Sequence, residues 1–252
     1  MDTIKTISEH RSIRNYKNIP IDDAVLNQIL EAASRASTTG NMQVYSIIVT
    51  RDPDRKKQLC GYHFGQNMVV QAPVLLTFCA DFNRFNQWCR QRDAQPGYDN
   101  FLSFTTAAID AMLAAQNAAL AAEALGLGIC YLGTTTYNAD KLIAFFECPK
   151  GVVPITTLVV GYAGENPALT DRLPLKAIVH HEKYEAYSAE KIDELYAEKE
   201  ALPLTKQLIE ENQLDNLAQI FTQKRYSKKD NVYFSKSFLK VIHEQGFMNN
   251  EE

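Results

Sequence analysis

Apolar residues along the chain follow a helical rhythm and a strand rhythm in turn. In "IDDAVLNQILEAASRAS", from residue 21, Val25, Leu26, Ile29, Leu30 and Ala33 share one helical face. Asp22 and Asp23 fall in the first turn, where carboxylates suit the positive end of a helix. "STTGN" closes that pattern as a polar loop. "QVYSIIVT" (43–50) predicts a β-branched strand, ended by the turn residues of "RDPD". A short helix through Lys57 and Leu59 leads to "APVLLTFCAD" (72–81), apolar enough for a strand buried on both faces. Residues 84–104 hold Phe85, Trp88, Tyr98, Phe101 and Phe104 and read as an irregular aromatic segment, a lid or a partner-facing stretch.

From Thr105 to Leu125, "TTAAIDAMLAAQNAALAAEAL" predicts one long helix whose alanines allow another helix to approach closely. "ICYLGT" (129–134) is a strand, "ADKLIAFF" a short helix, "VPITTLVVGYAG" a further strand, and "ENPALTDRLPL" (165–175) a polar, proline-punctuated loop. Beyond about residue 188 the pattern changes to charged amphipathic helices over 188–200, 205–221 and 235–245, the last two separated by "TQKRYSKKDNVYF". Strands alternating with helices, followed by a helical tail, predict one α/β or α+β domain over residues 1–252, with a core to about 187 and an extension from 188.

Charge and composition narrow the function classes. A net charge of −4 argues against a general nucleic-acid binder but leaves room for a local anion site. The five cysteines are odd in number and form no CxxC pair, so Cys79, Cys130 and Cys148 read as reduced, buried small hydrophobes. "MDTIKTISEH" has no apolar secretory core, and no run reaches the ~18 residues of a membrane span; a cytoplasmic protein with no membrane partner is expected. No GxGxxG follows a strand, and there is no Walker A loop, GxSxG elbow or HExxH. The histidines lack ligand spacing, so no metal site is expected.

One cluster remains. "HRSIR" sets His10, Arg11, Ser12 and Arg14 side by side, and arginine's fixed fork of donors suits a phosphate. Taken alone, the same residues also describe a solvated basic turn.

The order of segments around it resembles the nitroreductase family of FMN-dependent oxidoreductases, on the branch of oxygen-insensitive nitroreductases and flavin reductases. "HRSIR" then "IP", the amphipathic helix and the "TTGNMQ" loop recur in that order. They are followed by "FGQNMVVQAP", "FCADFNR", "AAQNAALAAEALGLG", "YLG", "NPALTDRLP" and the late "HEQGF". The resemblance implies an α+β fold with a central mixed sheet, and a homodimer with FMN at the subunit interface, the 105–125 helix its main dimer element. His10, Arg11 and Ser12 would hold the phosphate and ribityl chain. Arg14 would sit at the N1/O2 edge, where a fixed cation stabilises the charge of the reduced flavin and raises its potential. Thr39, Gly40, Asn41 and Gln43 would come from the other subunit. Gln66 would bond the ribityl chain or ring edge; Tyr131, Leu132 and Gly133 would line the dimethylbenzene side and N5; Arg172 would close on the phosphate.

The activity implied is NAD(P)H-dependent, two-electron, ping-pong reduction of small acceptors (nitroaromatics, quinones or flavins) on tightly bound FMN, with no catalytic side chain. Lys224, Arg225, Lys228 and Lys229 offer cations for an NADPH 2′-phosphate, which puts NADPH ahead of NADH by a narrow margin. Two departures stand out. Thr170 and Asp171 replace a Lys-Pro pair, with Lys176 a candidate replacement cation. Ser235, beside Lys236, stands where relatives carry a substrate-contacting arginine. Another reaction on the same flavin fold (flavin fragmentation or reductive dehalogenation) and a non-catalytic protein binding an anionic partner are the alternatives.

Overall fold

The computed structural model describes residues 2–250. Asp2 caps α1 (Thr3–Ser8), and α2 (Asp23–Ser34) turns Leu26, Ile29 and Ala33 inward. Strand β1 (Tyr45–Thr50) is followed by α3 (Pro53–Tyr62), which starts where Asp52 accepts from the Arg55 amide and a proline takes the first helical position. Then come α4 (Met68–Gln71), β2 (Val74–Asp81), α5 (Asn83–Arg90), α6 (Phe101–Ala124), β3 (Gly128–Leu132), α7 (Thr134–Tyr137), α8 (Ala139–Phe146) and β4 (Val152–Gly161). The class is α+β. The strands lie in the order β1-β2-β4-β3, every neighbouring pair antiparallel, and the parallel component of the expected mixed sheet is a single bridge, Ser12 to Ile129. A bulge between Phe78 and Cys79 admits Pro154 to β4, a residue with no amide hydrogen for a regular ladder.

β2 is buried along its whole length, as its unbroken apolar run predicts. Val74, Leu76 and Phe78 face a core shared with α2 and the alanine face of α6. Leu75 faces the opposite core, with Leu59, Val69, Leu132 and Leu142.

Residues 84–104 are helical at both ends and irregular only between them. Phe85, Trp88 and Cys89 lie three and four apart, so α5 gathers them on one side; Phe85 meets Phe82 and Tyr98, whose rings stack at 4.9 Å. α6 begins at Phe101, four residues before the expected start, because Asn100 accepts from the Ser103 amide and caps it.

Compact packing divides the chain into two units, one running to Ala168 and resuming at Phe234, the other Leu169–Tyr233. The second unit thus begins before residue 188, and the last residues return to the first. It contains α9 (Ala189–Ala201), α10 (Pro203–Asn212), α11 (Leu217–Gln219) and a π-helical turn over Ile220–Arg225. The expected 205–221 helix is broken where Gln213 takes a left-handed φ of 54° and Asn216 caps the next helix. The charged stretch after residue 222 is also helical, because Ser227 accepts from the Asp230 amide and starts α12 (Lys228–Glu244).

The N-terminal segment covers the exposed edge of β3. Ile13 donates its amide to Ile129 (2.8 Å), Lys17 donates to Tyr162 (2.9 Å), and the Gly164 amide donates to Asn15 (2.8 Å). Two glycines make room for it. A Cβ on Gly128 would lie 2.6 Å from Ile13 Cγ1, and one on Gly161 would lie 2.8 Å from Tyr16 Cδ1 and 2.6 Å from Pro73 Cδ. Gly128→Ala is therefore expected to destabilise the fold by about 1–3 kcal/mol through overpacking. Adding Ile13→Ala should cost less than the two single changes summed. Thermal unfolding of the three variants checks this.

Candidate functional site

Fixing Ile13 on β3 presents its neighbours in a set way. His10 Nδ1 lies 2.7 Å from Glu123 Oε1, a carboxylate only 12% exposed, so the ring is oriented and Nε2 takes no partner among the described residues. Arg11 donates through Nη1 to the Glu9 carbonyl (2.9 Å), while its Nε is buried and unpaired. It lines a cleft of about 220 Å³ with Thr6, Glu9, Glu123 and Glu165. Three carboxylates thus share the cleft with one guanidinium. Glu165 accepts from the Arg14 (2.6 Å) and Asn15 (3.0 Å) amides and bends the chain there. The Arg14 guanidinium is exposed and has no ion-pair partner among the described residues.

The 39–43 loop is held from beneath. Buried Asp110 accepts from the Thr39 amide at 3.1 and 3.2 Å and from its hydroxyl at 3.3 Å. Gly40, Asn41 and Gln43 all have positive φ (56°, 55° and 49°), a concentration of left-handed backbone typical of functional loops. Arg84 stabilises the arrangement by donating to the Gln43 carbonyl. No hydrogen bond among the described residues joins this loop to the His10–Arg14 segment.

Gln66 and the turn after β3 do meet. Gln66 Nε2 donates to the His63 carbonyl (3.1 Å) and lies 3.4 Å from Thr134 Oγ1. Thr135 Oγ1 donates to the Leu132 carbonyl (2.9 Å) and joins Thr157 and Thr77 in a buried hydroxyl chain, which locks the turn carrying Gly133. Leu132 points into the core, so only its main chain can face a ligand. The Tyr131 hydroxyl reaches Gln116 Oε1 (3.3 Å), and burial pushes its phenol well up.

One helix anchors three of these parts. Asp110 holds the 39–43 loop, Gln116 meets Tyr131 and Glu123 orients His10, all on α6. None of these three residues, nor His63, Thr134 or Glu165, is among the site residues expected from the sequence. A few polar residues in an otherwise Ala- and Leu-rich helix were the available signal; His63, Thr134 and Glu165 carried none.

In the second unit Arg172 donates to the Thr170 and Asp171 carbonyls. Asp171 pairs with Lys199 at 2.5 Å, so its charge is already answered. Lys176 is engaged by Glu194 and is not a spare cation. Lys224, Arg225, Lys228 and Lys229 are exposed there, with Arg225 over the Phe221 ring. Ser235 and Lys236 are exposed on the first unit's part of α12.

The family model described as "Nitroreductase family" matches residues 7–162. An FMN reductase [NAD(P)H] of Bacillus subtilis is 39% identical over 185 residues, 73% of this chain and 74% of the relative. An oxygen-insensitive NADPH nitroreductase of Salmonella typhimurium is 37% identical over 183 residues, 73% of this chain and 75% of that one. A crystal structure from Bacteroides fragilis is 52% identical and superposes with a TM-score of 0.95 over 97% of this chain and all of the other.

His63 gives this site a pH dependence. Burial lowers its imidazole from 6.5 to about 4, so the folded protein keeps it neutral where the unfolded chain begins to protonate it. Its contribution is therefore intact above pH 6.5 and is lost as pH falls from 6.5 towards 4, by up to roughly 3 kcal/mol. The stability difference between wild type and His63→Gln, from denaturant unfolding at pH 7 and pH 4.5, should shrink or reverse at the lower pH.

Proposed function

Since the chain belongs to the nitroreductase family, we propose that it is an FMN-dependent NAD(P)H oxidoreductase that reduces nitroaromatics, quinones or flavins. The observation that carries this reading is the Arg14 guanidinium: a cation without an ion-pair partner among the described residues, on a segment fixed by Ile129 and Glu165. The residues suit FMN. Arg11 Nε is a buried donor with no partner, and His10 Nε2 and Gln66 Oε1 have none among the described residues.

When bound, FMN supplies the two-electron chemistry, taking electrons from a reduced nicotinamide and passing them to a flat acceptor. The protein's work is to bind and orient. His10, Arg11 and Ser12 hold the phosphate and ribityl end, and Arg14 offsets charge at the N1 edge. Gln66, Tyr131, Gly133 and the main chain of Leu132 flank the ring. Arg172 is assigned to the phosphate, and Lys224, Arg225, Lys228 and Lys229 to the reductant's 2′-phosphate, which favours NADPH. Ser235 and Lys236 are the substrate contacts. Tight binding of FMN and a cytoplasmic location complete the reading, the latter in keeping with five free cysteines.

The site is assembled from two copies. On α6, Asp110 and Glu123 are thirteen residues apart, about 20 Å along the axis, so one chain holds its 39–43 loop far from its His10. Leu102, Ile109, Met112 and Leu113 form an exposed apolar stripe on that helix. An antiparallel pair of α6 helices whose two-fold axis crosses them near residues 116 and 117, just beyond Met112 and Leu113, would bring the loop of one protomer to the His10 end of the other.

The purified protein should be yellow and, with NADPH, should reduce a nitroaromatic or quinone with parallel double-reciprocal lines. A colourless protein that takes up no FMN would refute the reading. Arg14→Ala should lower the two-electron flavin potential by about 30–60 mV, the loss of one charge contact. An unchanged potential removes the role given to Arg14. Ile109→Glu should give a monomer by sedimentation, and that monomer should lose FMN.

A further inference from the structure

We infer that His63 and Thr134 are positioning residues which hold Gln66 as a hydrogen-bond acceptor towards a donor group of the bound flavin; this rests on the flavin site proposed above. Gln66 Nε2 lies 3.1 Å from the His63 carbonyl oxygen and 3.4 Å from Thr134 Oγ1, so both of its amide hydrogens are directed into the protein. The opposite amide orientation would set two carbonyl oxygens 3.1 Å apart with no proton between them. Oε1 consequently faces outward, with no partner among the described residues.

Thr134 completes the relay. Its hydroxyl oxygen accepts from Gln66, and the hydroxyl shares a second hydrogen bond with His63 Nδ1, 2.8 Å away. His63 is 1% exposed and neutral, since burial holds its pKa at about 4, so the contact is one between two uncharged groups. Its Nε2 is buried without a partner among the described residues. An apolar side chain at that position would avoid this unpaired group. The imidazole is accounted for by what its other nitrogen does, fixing the Thr134 hydroxyl and through it the face Gln66 presents. The same turn is anchored independently through Thr135 and Thr157, so the relay can be cut without releasing Gly133.

An acceptor-only glutamine is selective. It welcomes a flavin N–H or O–H and repels the ring carbonyls, which orients the ring.

A double-mutant cycle on FMN binding tests this, read by fluorescence quenching as apoprotein is titrated and by the visible band of the bound flavin. Thr134→Val should weaken FMN binding about 5–10-fold and shift that band, while Thr134→Ser, which keeps the hydroxyl, should stay within about twofold of wild type. Gln66→Leu should weaken binding at least as much as Thr134→Val. Adding Thr134→Val to Gln66→Leu should change little, since Thr134 acts through Gln66. Wild-type affinity in Thr134→Val, or losses that multiply in the double variant, would overturn the inference while leaving the flavin site standing. A wild-type protein that binds no FMN would instead overturn the flavin reading, and this inference with it.

Discussion

The candidate site depends on the pairing of residues 12–17 with the edge of β3 and the chain just past β4. That pairing hides a sheet edge that would otherwise be exposed, and it places Ile13 and Tyr16 in the core. It is possible only where the opposing chain has no side chain, at Gly128 and Gly161. With Ile13 buried and its amide on Ile129, His10, Arg11, Ser12 and Arg14 are delivered as a set. Glu165 then uses two amides to turn the backbone at Arg14. The cationic cluster is thus an extension of the sheet, built with the precision of regular structure.

Helix α6 supplies the second layer of control. Its alanines let it lie against α2 and the sheet, while Asp110, Gln116 and Glu123 each grip a different strand of the site. An acceptor on a rigid helix fixes a loop amide or a histidine at little entropic cost, because the helix is already ordered by packing. The left-handed residues of the 39–43 loop need such support: non-glycine backbone in that region costs about 1–3 kcal/mol each and persists only when its surroundings over-determine it.

Much of the architecture was legible because burial leaves a strong pattern. β2 is a continuous apolar run, and α2 a plain 3.6-residue repeat. α5 was missed because a helix of eight residues offers only two turns of pattern, and its aromatic residues suggested a loop. The tail was misjudged for another reason: Gln213 breaks a helix through a backbone angle that no periodicity records, and Ser227 starts one inside a run of charges. For the site, the order of segments pointed to the nitroreductase family and hence to His10, Arg14 and Gln66. It could not reveal that Glu123 orients His10 and Glu165 turns the backbone at Arg14, nor that His63 and Thr134 lie behind Gln66. Those contacts join residues far apart in the chain, and only the fold brings them together.

If the glycine-permitted docking of residues 12–17 builds the flavin cradle, a change that touches no flavin atom should still impair flavin binding. FMN affinity of the apoprotein, measured by fluorescence quenching for wild type and Gly128→Ala at a temperature where both are folded, tests that link. A dissociation constant raised at least about tenfold, the equivalent of 1.4 kcal/mol, is the expected result. Equal affinity in the two proteins would show that the edge pairing does not set the site.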